Sequence, residues 1–251
     1  MFDLSGKTAL VTGSGRGIGL VLARGLARAG ARVALNDLDG DRIAPAREEL
    51  RREGHETGAA AFDVTDSAAV REGLDRLERE FAPLDILINN AGIHRRAPLA
   101  EMPVEDWRLV IDTNLTSAFL VGQRAARGMI ARGGGKIINI CSLNCELPRP
   151  GIGNYSAAKG GLVLLTRSMT VEWARHNIQV NGIAPGYILT EMTRPLSEDP
   201  ERNAWIVGRT PAGRWGRPED LIGAAVFLAS EASAFVNGQM IFVDGGMRVA
   251  L

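Results

Sequence analysis

The 251-residue chain predicts an α/β fold: a single doubly wound parallel sheet of about seven strands with helices on both faces, in one domain spanning 1–251. Three observations carry this reading. Short runs rich in Val, Ile and Leu alternate with longer helix-period stretches, as strand–helix–strand units require. Several of those runs are apolar almost throughout, the pattern of strands covered on both faces. A glycine-rich turn, Thr12-Gly-Ser-Gly-Arg-Gly-Ile-Gly19, joins the first run to the first helical stretch.

Taken in order, strands are expected at 7–11, 32–35, 59–62, 85–88, 136–140, 178–183 and 240–243, and helices near 17–29, 41–53, 67–80, 105–131, 154–176 and 218–229. Asp66-Ser67 supplies a carboxylate and a hydroxyl for a helix start, and Pro218-Glu219-Asp220 supplies a first-turn proline followed by acids. No linker, repeat or low-complexity segment divides the chain. The one long stretch without clear periodicity, 186–217, contains Pro195, Pro200 and Pro211. Loops this long inside compact domains usually cover or bind something, so a substrate lid is expected there.

Twenty-nine basic side chains balance 29 acidic ones. That zero net charge gives no electrostatic reason to expect a nucleic-acid or membrane partner. Met1-Phe-Asp-Leu-Ser-Gly-Lys7 enters the first strand without a secretory pattern. Cys141 and Cys145, four apart with no Cys/His cluster nearby, make neither a disulfide framework nor a zinc site. A cytoplasmic protein with no metal site is expected.

The glycine turn does not fit Gly-x-Gly-x-x-Gly, because Ile18 occupies the sixth position; Gly13, Gly17 and Gly19 form Gly-x-x-x-Gly-x-Gly instead. The physics is shared: glycines allow a tight turn and let backbone N–H groups approach a diphosphate at a helix N-terminus. A plain strand-to-helix turn also uses glycines. Asp37, just beyond the second strand, separates the two readings, since a carboxylate at about that offset takes a ribose 2′-hydroxyl. It also repels a 2′-phosphate, which favours NAD over NADP, while Arg16 and Arg42 offset part of the repulsion and keep NADP open.

Tyr155 and Lys159 stand four apart in a helical stretch, hence on one face. A free phenol titrates near pH 10, about three units too high for efficient acid/base work at neutrality. A nearby ammonium together with an oxidised nicotinamide is expected to lower it. Ser142, at the end of the fifth strand, can hydrogen-bond a substrate oxygen. Alone, the Tyr/Lys pair is equally an amphipathic helix face.

Together these motifs resemble the short-chain dehydrogenase/reductase family over essentially the whole chain. The glycine turn, Asp63-Val64, Asn89-Asn-Ala-Gly92, Asn114, Ser142, Tyr155-x-x-x-Lys159 and Pro185-Gly-Tyr-Ile-Leu-Thr190 stand in that family's order and spacing. The resemblance implies an NAD(P)-binding Rossmann-type domain. It makes Tyr155 the acid/base, Ser142 the orienter of the carbinol oxygen, Lys159 the ribose holder, and Asn114 the anchor of a water that relays protons. Asp63 and Val64 flank the adenine, Asn90 the adenosine ribose, and Thr190 the carboxamide side of the nicotinamide. The implied cofactor set also takes in Gly13, Ser14, Arg16, Gly17, Ile18, Gly19, Asp37, Gly92, Pro185, Gly186 and Ile188. A homotetramer is implied, pairing helices near 105–131 and 154–176 across subunits.

Arg95 and Arg96 follow the Asn-Asn-Ala-Gly turn, at the sheet edge where open α/β sheets bind ligands. They are either a solvated loop or subunit contact, or a trap for an anionic substrate. A finer resemblance favours the trap. Gly92-Ile-His-Arg-Arg96, Ile138-Asn-Ile-Cys-Ser142, Glu146-Leu-Pro-Arg149, Arg209-Thr-Pro-Ala-Gly-Arg-Trp-Gly216 and Phe235-Val-Asn-Gly238 are similar to the branch of the family that interconverts gluconate and 5-ketogluconate. A sister branch acting on carbon 3 of 2-deoxygluconate shares the double arginine. A sugar-acid substrate read by Arg96, Arg95, Ser142, Glu146 and Arg149 is therefore expected, with Arg96 ahead of Arg95. His94 and Cys145 lie close by, with ordinary packing as their expected role. A sensor that binds NADH without turnover is the reading from another class, and the complete Ser142, Tyr155 and Lys159 set argues against it.

Overall fold

The computed structural model describes residues 1–250. Strands β1 (Thr8–Val11), β2 (Arg32–Asp37), β3 (Thr57–Ala61), β4 (Ile86–Asn89), β5 (Gly135–Ile140), β6 (Ile178–Pro185) and β7 (Met240–Val243) form one seven-stranded sheet in the order β3-β2-β1-β4-β5-β6-β7. Every pairing is parallel, with Ala9 beside Val33 on one flank and Ile86 on the other. Strand order reverses between β1 and β4, so the crevice beyond their carboxyl ends is where a ligand sits in such sheets.

Alternate residues of each strand feed opposite cores. Ala9 and Val11 pack with Val33 and Leu35 under α1 (Gly17–Arg28), α2 (Gly40–Arg52) and α9 (Ile222–Ala229), through Leu22, Leu26, Leu50 and Leu228. Leu10, Leu87, Ile137 and Val180 face α3 (Ser67–Glu80), α5 (Ser117–Arg132) and α6 (Gly153–Trp173), meeting Leu74, Val121, Met129 and Met169. Covering on both faces explains the unbroken apolar runs. Each fully buried leucine contributes about 1.5–3 kcal/mol. Asp66 caps α3, its carboxylate accepting from Ala68 N and Ala69 N.

Two expectations change. The helix expected over 105–131 is α4 (Val104–Ile111), a π-turn at Asp112–Thr116, and α5. The segment 186–217, expected to be irregular, carries α7 (Arg194–Ser197) and α8 (Pro200–Arg209). Its prolines start helices there: Pro200 follows Asp199, whose carboxylate accepts from Glu201 N and Arg202 N, and the first helical turn needs no proline N–H.

Candidate active site

The glycine turn leaves β1 and reverses the chain, with Gly13 at φ 61° and Gly17 at φ 58° in the left-handed region that favours glycine. A Cβ at Gly19 would stand 2.4 Å from the Gly13 carbonyl oxygen and 2.5 Å from Asn90 Nδ2, so only glycine lets α1 start this close to its own turn. No side chain caps α1 at Arg16. The N–H groups of its first turn, around Gly17 and Ile18, are thus available to an anion, and the positive end of the helix dipole faces the same way. A dinucleotide diphosphate fits this cradle.

Thr12, which the sequence reading did not single out, braces the turn: its hydroxyl oxygen accepts from Asn90 N at 3.0 Å and Ala91 N at 3.1 Å. Asn90 Nδ2 donates to the Thr12 and Gly13 carbonyls at 2.9 and 3.1 Å. Ser14 differs from expectation. It is fully buried, its hydroxyl donates to the Val11 carbonyl at 2.7 Å, and its N–H donates to the Asn36 carbonyl at 2.8 Å. Both donors of Ser14 are engaged within the protein, so it stiffens the cradle rather than facing a phosphate.

Asp37 closes β2 beside this turn, and Arg42 Nη1 lies 3.5 Å from its carboxylate. Arg42 also meets Asp39 at 3.5 Å, and Arg16 Nη1 meets Glu191 Oε2 at 2.8 Å. Both arginines that offset Asp37 in the sequence reading therefore have carboxylate partners of their own. Farther along the edge, Val64 is buried, and the exposed Asp63 accepts at Oδ1 from Thr65 N and Oγ1. On the opposite lip, β6 ends at Pro185, and Gly186 N donates to the Val243 carbonyl. Ile188 turns into the core, and Thr190 N donates to Thr193 Oγ1 at 2.9 Å.

The chemistry-bearing residues converge between β5 and α6. Ser142 follows β5, its hydroxyl oxygen accepts from Asn144 N at 3.1 Å, and it acts to lower the pKa of the Tyr155 phenol. Lys159 is 4% exposed; its ammonium donates to the Ile140 carbonyl at 2.7 Å and lies 5.6 Å from the Tyr155 ring centroid. Asn114, inside the π-turn, donates from Nδ2 to the carbonyls of Ile93 and Val110 at 3.0 and 2.9 Å and accepts at Oδ1 from Ile93 N at 3.3 Å. Its side chain fixes the loop after Gly92, with both Nδ2 hydrogens used and one acceptor position left on Oδ1.

The protein's own electrostatics run against the expected lowering. Burial pushes the Tyr155 phenol up to about 12, against a lowering contribution from Ser142, and pushes Lys159 down to about 8. Desolvation is the largest influence on both groups. The lowering expected for Tyr155 is left to the positive charge of an oxidised nicotinamide.

The loop after Gly92 is pinned to the start of α6: buried Asn154 donates to the Arg95 carbonyl at 3.2 Å, and Ala97 N donates to the Gly151 carbonyl. The two arginines then diverge. Arg95 Nε lies 3.5 Å from Asp106, whereas Arg96 has no carboxylate within ion-pair distance among the described residues. Instead Arg96 acts on His94 and on Arg149, and its charge lowers the pKa of both. Arg149 stacks over Trp205 of α8 at 4.8 Å and over Tyr187 at 5.4 Å. Glu146 is held outward by Arg248, with 2.5 Å between Nε and Oε2. His94, expected only to pack, stacks directly on the Tyr155 ring.

An open helix N-terminus above a glycine cradle, a carboxylate at the end of β2, and a half-buried Tyr155 beside buried Ser142 and Lys159 fit a dinucleotide-dependent oxidoreductase. Comparison with known proteins agrees. A family model described as enoyl-(acyl carrier protein) reductase matches residues 13–248. Gluconate 5-dehydrogenase of Gluconobacter oxydans is 55% identical, covering 100% of this chain and 98% of the relative. 5-Keto-D-gluconate 5-reductase of Escherichia coli K12 is 52% identical, covering 100% and 99%. A crystal structure of a gluconate 5-dehydrogenase from Burkholderia cenocepacia in complex with NADP and tartrate superposes with a TM-score of 0.98 at 52% identity, covering 100% of this chain and 98% of that one. The chain belongs to the short-chain dehydrogenase/reductase family.

Proposed function

We propose that the protein is an NAD(P)-dependent gluconate 5-dehydrogenase, interconverting gluconate and 5-ketogluconate. The observation that carries the substrate is Arg96: a guanidinium without a carboxylate partner, close to Arg149 and on the loop whose His94 stacks on Tyr155. Two repelling cations beside a catalytic phenol favour an anionic substrate, and a guanidinium fork matches a carboxylate. The named relatives act on gluconate or its keto form, and the Burkholderia complex holds a hydroxy-dicarboxylate.

The diphosphate is assigned to the N–H groups around Gly17, Ile18 and Gly19, the ribose hydroxyls to Asp37 and Lys159, and the nicotinamide side to Pro185, Gly186 and Thr190. When bound, the cofactor supplies the hydride acceptor. Tyr155 takes the alcohol proton in oxidation and returns it in reduction, with Ser142 holding the reacting oxygen. With burial keeping the phenol protonated, these residues alone poise Tyr155 as an acid, which suits ketone reduction. NAD is favoured because Asp37, Asp39 and Glu191 outnumber Arg16 and Arg42 around the ribose, although the Burkholderia relative holds NADP.

The α7–α8 segment serves as the substrate lid, tied to the chamber by Arg149 on Trp205. Exposed Phe119, Leu164 and Val171 on α5 and α6 support a homotetramer built on those helices, and the free thiols Cys141 and Cys145 suit the cytoplasm. Assaying the purified protein with NAD and NADP against gluconate, 2-deoxygluconate and uncharged polyols tests the reading. Turnover of gluconate supports it; turnover of 2-deoxygluconate alone moves the assignment to a 3-dehydrogenase, and turnover of neutral polyols alone removes the acid.

A further inference from the structure

His94 stands between the group that moves the proton and the cation offered to the carboxylate. Its ring stacks on Tyr155 with centroids 3.9 Å apart and 29° between the planes. Nδ1 is sealed from solvent without a hydrogen-bond partner, which leaves Nε2 as the ring nitrogen open to the cleft. Burial beside Arg96 and Lys159 pushes the imidazole down to about 4, so the ring is neutral at physiological pH. A neutral imidazole has one N–H, and a sealed N–H without an acceptor is rarer and costlier than a sealed lone pair. The proton therefore resides on Nε2.

Resting on the function proposed above, we propose that His94 determines specificity: its Nε2–H donates to a substrate hydroxyl on a carbon adjacent to the one Tyr155 serves. The stack supplies the geometry: with the two rings in van der Waals contact, a polyol whose reacting hydroxyl meets the phenol carries its neighbouring hydroxyls past the imidazole. Asn154 holds the Arg95 carbonyl while its Oδ1 accepts from Tyr155 N at 2.7 Å, so the loop and the backbone of Tyr155 share one anchor. A hydrogen bond from a neutral donor of this kind is worth a few-fold in binding and is forfeited by a substrate that lacks the hydroxyl.

The test compares wild type, His94→Phe, which keeps a stacked ring without a donor, and His94→Gln, which keeps a donor without the ring. Each is assayed for kcat/KM with gluconate, 4-deoxygluconate and 6-deoxygluconate. The expected result is an about three- to tenfold loss for His94→Phe on gluconate, mainly in KM. For one of the two deoxy acids that variant should match wild type, and His94→Gln should recover part of the loss on gluconate. An equal loss on all three acids, or none on gluconate, overturns the assignment to His94 alone. Wild-type protein that turns over none of the three overturns the functional reading and this proposal with it.

Discussion

Arg16 and Glu191 join the two lips of the cofactor cleft, with 2.8 Å between Nη1 and Oε2. The glycine turn supplies one residue and the segment after β6 the other. Any 2′-phosphate drawing on Arg16 has to compete with that carboxylate. Glu191→Gln should therefore lower KM for NADP about two- to fivefold, the scale of an exposed ion pair, and leave NAD unchanged. Asp37→Ala should narrow the proposed NAD preference further, since it removes the carboxylate assigned to the ribose. Equal shifts for both cofactors, in steady-state assays, would show that neither carboxylate discriminates.

Replacing Tyr155 by Phe deletes the proton carrier while keeping the ring that stacks on His94. Cofactor binding, followed by fluorescence titration of NADH, should stay within a few-fold. Turnover should fall by roughly 10²–10⁴. A variant retaining wild-type kcat contradicts the assigned role.

Arg96→Ala should reduce kcat/KM for gluconate about 10–100-fold, the worth of a lost charge-assisted hydrogen bond. An uncharged polyol should lose much less, and Arg96→Lys should recover only part. Arg95→Ala, which breaks the exposed pair with Asp106, should change little. If both alanine variants keep wild-type KM and kcat for the acid, Arg149 becomes the carboxylate reader.

Stability should carry the signature of His94. In the unfolded chain the imidazole protonates near 6.5, whereas in the folded protein burial delays this to about 4. Between those values the unfolded state binds more protons, so acid favours unfolding and stability is lost as pH falls from 6.5 toward 4. Urea unfolding at pH 7 and pH 5 should show His94→Phe losing less stability on acidification than wild type. Identical losses would mean that His94 protonates in the folded state as it does in solution.

The strands were legible because burial on both faces leaves apolar runs, as at residues 9–11 of β1 and 86–88 of β4. The α8 helix was missed although Asp199-Pro200-Glu201 carries a start signal, since it lies in a proline-containing stretch without clear periodicity. The π-turn that places Asn114 has no pattern of its own in the sequence. In the site, residue types and spacing brought Tyr155, Lys159 and Ser142 together, but partner choice lay beyond reach. Nothing in the sequence says that Ser14 turns inward to Val11, that Arg95 pairs with Asp106 while Arg96 does not, or that His94 lies on Tyr155. The last two depend on how Asn154 and Gly151 pin one loop. The upward push that desolvation gives the Tyr155 phenol was equally out of reach, because burial is a tertiary property.

The central claim is that this site moves a hydride at carbon 5 of gluconate, and identifying the product tests it most directly. Purified protein is incubated with gluconate and NAD or NADP, and the product is followed by ¹³C NMR. The account predicts reduced cofactor accumulating together with 5-ketogluconate. A ketone at carbon 2 or 3, or no reduced cofactor with gluconate while another alcohol is oxidised, would contradict it.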